Sequence, residues 1–257
     1  MGNSENLSNN KTSNPASRII PIGDIHGCYD ELVKLIDYIE PTPSDTLVFL
    51  GDYIDRGINS KAVLDLITEL NERCTTIVLL GNHESMMREA FNLNHSVNDR
   101  LNCVKFWQKN GGADTLNSYM FNIEDLYSPH FDESYIPDNI KTHLAFIESM
   151  VLYHETESHI FVHATPFPDK PMEEQDEIDL VWRRAGRVDA QHNYIHISGK
   201  VIVSGHTAQG NGLPLELSAK NIIIDSGCVW TGWLTAMSIN DNNYIQASKT
   251  EIRVIGR

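Results

Sequence analysis

The sequence predicts an α/β protein, and three observations carry that reading. A short apolar run ending in Gly-Asp or Gly-Asn is followed by a loop and a helix, and the unit recurs three times. Later apolar runs stop at a histidine or an acid, as at His163, His206 and Asp225. Strands alternating with helices imply βαβ crossovers, whose functional loops gather at the carboxyl ends of the strands. Arg18–Ile22 reads as the first strand; Leu32, Leu35, Ile36 and Ile39 then recur at helical spacing. Thr46–Leu50 is the second strand, and its helix carries Val63, Leu64, Ile67 and Leu70. Thr76–Leu80 is the third, with a helix starting near Glu84. Residues 92–157 are irregular and mainly helical, and read as an insertion or cap over the sheet. Strands return at His159–His163, Lys200–Gly205 and Ile222–Asp225, and Trp233–Ile239 with Tyr244–Ala247 reads as a closing antiparallel pair. Residues 1–16 are almost wholly polar, a composition that predicts a disordered tail. Residues 17–257 then make one domain.

With 257 residues, 41% of them apolar, the chain can bury a sizeable core. A net charge of −15 repels polyanions, which argues against nucleic acid and anionic membranes as partners. It leaves room for an anionic substrate where bound metal ions concentrate positive charge. Cys28, Cys74, Cys103 and Cys228 lie far apart with no C-x-x-C pair, and read as free thiols in a reducing compartment. No apolar run reaches the roughly 18 residues of a membrane span, and the N-terminus lacks a basic-then-apolar leader. A cytoplasmic enzyme is expected.

The chemistry-bearing side chains share one topological place. Asp24 and His26 follow the first strand, Asp52, Asp55 and Arg56 the second, and Asn82, His83 and Glu84 the third. His163 and His206 follow two later strands. One histidine or one Gly-Asp turn means little alone, but five such elements in order at strand ends are not independent turns. Carboxylate plus imidazole suits two divalent transition metals: manganese first, with iron or zinc also admissible. A carboxylate such as Asp52 can bridge the pair, and metals roughly 3.5–4 Å apart can hold a hydroxide and a phosphate for in-line attack.

Gly23-Asp24-Ile25-His26-Gly27, Gly51-Asp52-Tyr53-Ile54-Asp55-Arg56-Gly57 and Gly81-Asn82-His83-Glu84, with His163 and Gly205-His206-Thr207, closely resemble the phosphoprotein phosphatase family of metallophosphatases. The Gly23–Tyr29 stretch and Trp182-Arg183-Arg184 look most like its bacterial and bacteriophage branch. The resemblance implies a calcineurin-like fold, a two-sheet β-sandwich flanked by helices with a dinuclear metal site at the strand C-termini. It also implies that Asp24, His26 and Asp52 hold one ion, and Asp52, Asn82, His163 and His206 the other. His83 is then the general acid, fixed by Asp55. Arg56, Asn82 and a second arginine bind phosphate, with Arg184 favoured over Arg183 by the family's usual Trp, any residue, Arg pattern. Glu84 orients its loop. Asp225 either orients the site or makes a turn. Trp107 with Asn110-Gly111-Gly112 reads as packing and a helix end.

These implications lead to a metal-dependent phosphomonoesterase, a protein Ser/Thr phosphatase with scope for phosphotyrosine, attacking phosphorus through a hydroxide shared by the two ions. The alternative is a symmetrical dinucleoside polyphosphate (diadenosine tetraphosphate) hydrolase. Those enzymes resemble the chain around Gly23–Leu32, yet typically carry alanine at the Asp55 position and Asp at the Glu84 position. A metallophosphodiesterase would usually show Gly-His-x-His, where Gly205-His206-Thr207-Ala208 has one histidine.

Overall fold

The computed structural model describes residues 17–184 and 194–257. The polar stretch 1–16 and His192 lie outside the described residues. Two sheets face each other. The first has six strands in the order β11-β10-β9-β1-β2-β3, where β1 is Ile19–Ile22, β2 Thr46–Phe49, β3 Thr75–Val78, β9 Leu234–Ser238, β10 Asn243–Ala247 and β11 Ile252–Gly256. The second has five in the order β4-β5-β6-β8-β7: β4 Tyr153–Glu155, β5 His159–Val162, β6 Val201–Ser204, β7 Leu215–Ser218 and β8 Asn221–Ile223. β1, β2 and β3 pair in parallel, as do β5, β6 and β8. The parallel strands therefore all deliver their carboxyl ends to one edge.

The alternation of side chains along each strand builds the layers. In β2, Leu47 and Phe49 join the helix-side core, while Val48, with Leu50 just beyond, enters the core between the sheets. β5 does the same, sending Phe161 inward and Ile160 and Val162 to the opposite outer layer. On the first sheet's outer face lie α1 (Tyr29–Ile39), α2 (Ser60–Leu70) and α3 (Asn82–Ala90). The expected apolar stripes of α1 and α2 are buried. α3 starts two residues before the expected Glu84 because Glu84 reaches back and accepts from Gly81 N at 3.2 Å, placing Gly81 at the N-cap. The intervening stretch contains α4 (Val97–Lys109), α5 (Gly112–Ser118), two short 3₁₀ turns and α6 (Asp138–Glu148), and it joins the same core through Val104, Trp107, Leu116 and Ile140. α7 (Glu177–Trp182) covers the second sheet through Leu180, and α8 (Cys228–Thr231) precedes β9. The closing pair is a three-stranded meander, since Ile252–Gly256 adds a further antiparallel strand to β10. Among the described residues no helix is long and apolar enough to cross a membrane.

Candidate metal and phosphate site

Loops after β1, β2 and β3 meet those after β5 and β6, and together they bury Asp24, His26, Asp52, Asn82, His83, His163 and His206. The turns are strained. Of eight described non-glycine residues with positive φ, five are His26, Asp52, Asp55, Arg56 and His206. Each such conformation costs on the order of 1–3 kcal/mol, and this strain concentrates at functional sites. Neighbouring backbone must also approach closely: at Gly51, with φ of 104°, an added Cβ would lie 2.6 Å from His163 Nδ1.

Backbone carbonyls set the imidazoles. His26 Nδ1 donates to Ile54 O at 2.8 Å, His163 Nδ1 to Leu50 O at 2.8 Å, and His206 Nε2 to Trp182 O at 3.0 Å. Tautomers assigned from these partners leave the opposite ring nitrogens as lone pairs. His163 Nε2 then faces Asn82 Oδ1 at 3.0 Å and Asp52 Oδ1 at 3.3 Å, and His206 Nδ1 faces Asn82 Oδ1 at 2.9 Å. Burial lowers the pKa of His163 and, with the neighbouring His163, takes His206 down to about 3, so neither holds a second proton near neutrality. Acceptors this close, with no proton between them, repel each other. Two imidazoles, a carboxylate and an amide oxygen fit a divalent transition cation, which would turn that repulsion into ligation. Asp52, His163 and His206 bring their ligating atoms within 4.8 Å of one another.

The other half of the centre is less converged. His26 Nε2 lies 3.6 Å and His83 Nε2 3.9 Å from Asp52 Oδ2. Arg56 contacts the His26 Nε2 lone pair. Asp24 joins neither triad: its oxygens accept from His206 N at 3.1 and 3.0 Å, and it lies beside Asp225. Burial, with Asp225 and Asp52 close by, pushes Asp24 well above the carboxylate range, and burial takes Asp225 up to about 6. Crowded buried carboxyls also call for a cation. Asp225 therefore stands within the site.

The His83–Asp55 pair is well formed. His83 Nδ1 donates to Asp55 Oδ2 at 2.6 Å, and both side chains are almost wholly buried. Burial works to remove the His83 proton, but Asp52 and Asp55 outweigh it and its pKa is raised. Asp55 also accepts from Trp107 Nε1 at 3.0 and 2.9 Å and from Thr115 Oγ1 at 2.6 Å. Sequence reasoning missed both partners. The signal for Trp107 was general: a buried indole N–H seeks an acceptor. Glu84 accepts from the backbone N–H groups of Asp52, Tyr53, Ile54 and Gly81 at 2.8–3.2 Å, clamping the loop that carries Asp52. The Arg56 guanidinium lies 5.0 Å from the centroid of the exposed Trp230 ring. Arg183 donates to Thr165 O and Pro166 O at 3.0 and 3.1 Å, whereas Arg184 is exposed and its charge reaches His206. His95, His143 and His196 bond to Glu89, Tyr119 and Lys170 O instead.

A two-sheet α/β sandwich with buried acids and imidazoles gathered at its parallel-strand ends has the donor set of a metal-binding protein. The family model described as calcineurin-like phosphoesterase matches residues 17–210, and the chain belongs to that family. Among curated relatives, the symmetrical bis(5'-nucleosyl)-tetraphosphatase of Citrobacter koseri is 46% identical over 71 residues, covering 27% of this chain and 24% of the relative. The Cronobacter sakazakii protein of the same name is 44% identical over 71 residues, with the same coverage. The chain thus spans about a quarter of the length of these relatives. Among solved structures, a candidate diadenosine tetraphosphatase has a TM-score of 0.63 at 23% identity, covering 91% of this chain and 95% of the other. A cold-active protein tyrosine phosphatase has a TM-score of 0.56 at 16% identity over 93% and 78%. A protein serine/threonine phosphatase from Saccharomyces cerevisiae has 0.55 at 15% over 96% and 82%. At these identities the structural likeness is one of fold.

Proposed function

We propose that the chain hydrolyses phosphomonoesters with alkoxide or aryloxide leaving groups, phosphoseryl, phosphothreonyl and phosphotyrosyl peptides being the substrate class. The observation that carries this reading is the 2.6 Å bond between His83 and Asp55. An alkoxide leaves only as it gains a proton, and a buried imidazole kept protonated by a carboxylate is built to deliver one. A nucleoside polyphosphate is a far better leaving group and needs no such donor.

Asp24, His26 and Asp52 would hold one divalent cation, and Asp52, Asn82, His163 and His206 a second; manganese, iron and zinc all suit the donor set. Such ions, when bound, polarise the phosphoryl group and lower the pKa of water. The chain's own residues do the rest. Arg56 would present a planar fork of donors to phosphate oxygens, Arg184 would offer a second cation near His206, and the Asn82 amide lies beside His163 and His206. Asp55 accepts the Nδ1–H of His83 and favours the imidazolium, whose Nε2–H is then the proton that would pass to the leaving oxygen.

A second reading is hydrolysis of symmetrical dinucleoside polyphosphates. The curated relatives named above bear that activity in their names, as does the solved structure of highest TM-score among the three, so the comparisons favour this reading over a phosphopeptide substrate. Turnover by the metal-loaded chain on phosphoserine and phosphotyrosine peptides, p-nitrophenyl phosphate and diadenosine tetraphosphate decides between them. Dinucleotide cleavage faster by orders of magnitude reverses the order, and inertness toward every phosphoester removes both.

A further inference from the structure

Cys28, Glu31 and Cys228 form a cluster that the proposed hydrolysis does not use. Cys28 immediately precedes α1, Glu31 stands on the same face of its first turn, and Cys228 opens α8. Their two sulfurs and a carboxylate oxygen all lie within 4.8 Å of one another. Cys228 is 1% exposed and Glu31 4%, while the half-buried Cys28 opens onto a cleft of about 550 Å³ that all three residues line. Among the described residues, Glu31 has no side-chain hydrogen bond or ion pair. Its carboxylate is thus not engaged by another side chain among those residues.

We propose that these three residues form a further cation site, separate from the phosphate site and independent of which phosphoester the chain cleaves, for a thiophilic d¹⁰ divalent ion such as zinc or cadmium. Two thiolates and a carboxylate supply three ligands of a tetrahedron, with the fourth position open to the cleft for water. A Zn–S bond of about 2.3 Å sets tetrahedral sulfurs about 3.8 Å apart, within the separation the cluster already has. Each thiol releases its proton to solvent on ligation, and the loaded cluster carries one net negative charge. Manganese and magnesium prefer oxygen donors, so the two kinds of site would sort ions by softness. An ion here ties the start of α1 to α8, a helix flanked by Gly227 and Gly232 at φ of 65° and 73° and carrying Trp230 against Arg56.

The test titrates the full, manganese-loaded chain with cadmium and follows the near-ultraviolet thiolate-to-cadmium absorption. One equivalent per chain is expected to raise the band and protect two thiols from alkylation. Cys28→Ser and Cys228→Ser should each lose the protection, and a Cys74→Ser/Cys103→Ser double variant should keep it. Glu31→Gln, which retains both thiols and the side chain's shape, should weaken cadmium binding by about tenfold or more. No band in the intact chain overturns the proposal, as does a band that survives in the Cys28→Ser/Cys228→Ser double variant. Cys28 and Cys228 recovered as a disulfide that takes up no cadmium until reduced would overturn it in favour of an oxidisable pair.

Discussion

Replacing Asp55 by Asn keeps the side chain's shape and removes the charge opposite His83. The carboxylate accepts from His83, Trp107 and Thr115 in a fully buried place. An asparagine amide must turn a donor toward one of these groups, so the variant loses a charge-assisted bond and gains a donor clash. A hydrogen bond to a charged group contributes roughly 1.5–3 kcal/mol. At about 1.4 kcal/mol per decade, turnover on an alkyl phosphate should fall by roughly 10- to 150-fold. His83→Asn, which deletes the proposed acid, should cost about 10²–10⁴-fold. The double variant should be no slower than His83→Asn, because Asp55 acts through the imidazole. The assay compares kcat on phosphoserine peptide and p-nitrophenyl phosphate, with metal content checked by elemental analysis. The losses should shrink on the nitrophenyl ester, whose leaving group needs little protonation. Equal losses on both substrates, or additive effects in the double variant, would refute the reasoning.

Asp52→Asn should release both ions together, read by elemental analysis after dialysis; retention of one ion argues against a bridging carboxylate. Trp107→Phe keeps the ring packing and deletes one donor to the Asp55 carboxylate, so it should cost about 1.5–3 kcal/mol of stability by urea midpoint and slow turnover on alkyl esters more than on nitrophenyl phosphate. Asp45 accepts from Arg18 Nη2 at 2.7 Å and Thr42 N at 2.8 Å, and the Arg18 bond leads in holding its pKa below the ordinary range. Its folded value lies below its unfolded value, so the stability it adds is present above about pH 4 and lost as pH falls below that. Asp45→Asn should therefore cost about 2 kcal/mol at pH 7 and little in acid, measured by urea unfolding across that range.

The first half of the fold was readable because period and punctuation agreed: Leu32, Leu35, Ile36 and Ile39 sit at helical spacing directly after a Gly-rich turn, and they bury as a stripe. Strands β4, β7 and β11 escaped notice because three to five residues at a sheet edge leave little pattern, and their pairing is decided by distant segments. Short-range motifs located Asp24, Asp52, Asn82 and His83. They could not show Trp107 and Thr115 converging on Asp55 from 52 and 60 residues away, nor Cys28 meeting Cys228, since no local spacing encodes a contact that only the closed sandwich creates.

The candidate site straddles a seam. Asp24, His26, Asp52, Asn82 and His83 ride on loops of one sheet, while His163, His206 and Asp225 come from the other. Any cation spanning the two sets is thus a rivet between the halves, and its binding energy adds to the cohesion of the whole molecule. During synthesis the centre can close only after the histidine at position 206 has emerged, so a nascent or truncated chain with every N-terminal motif intact would remain inert.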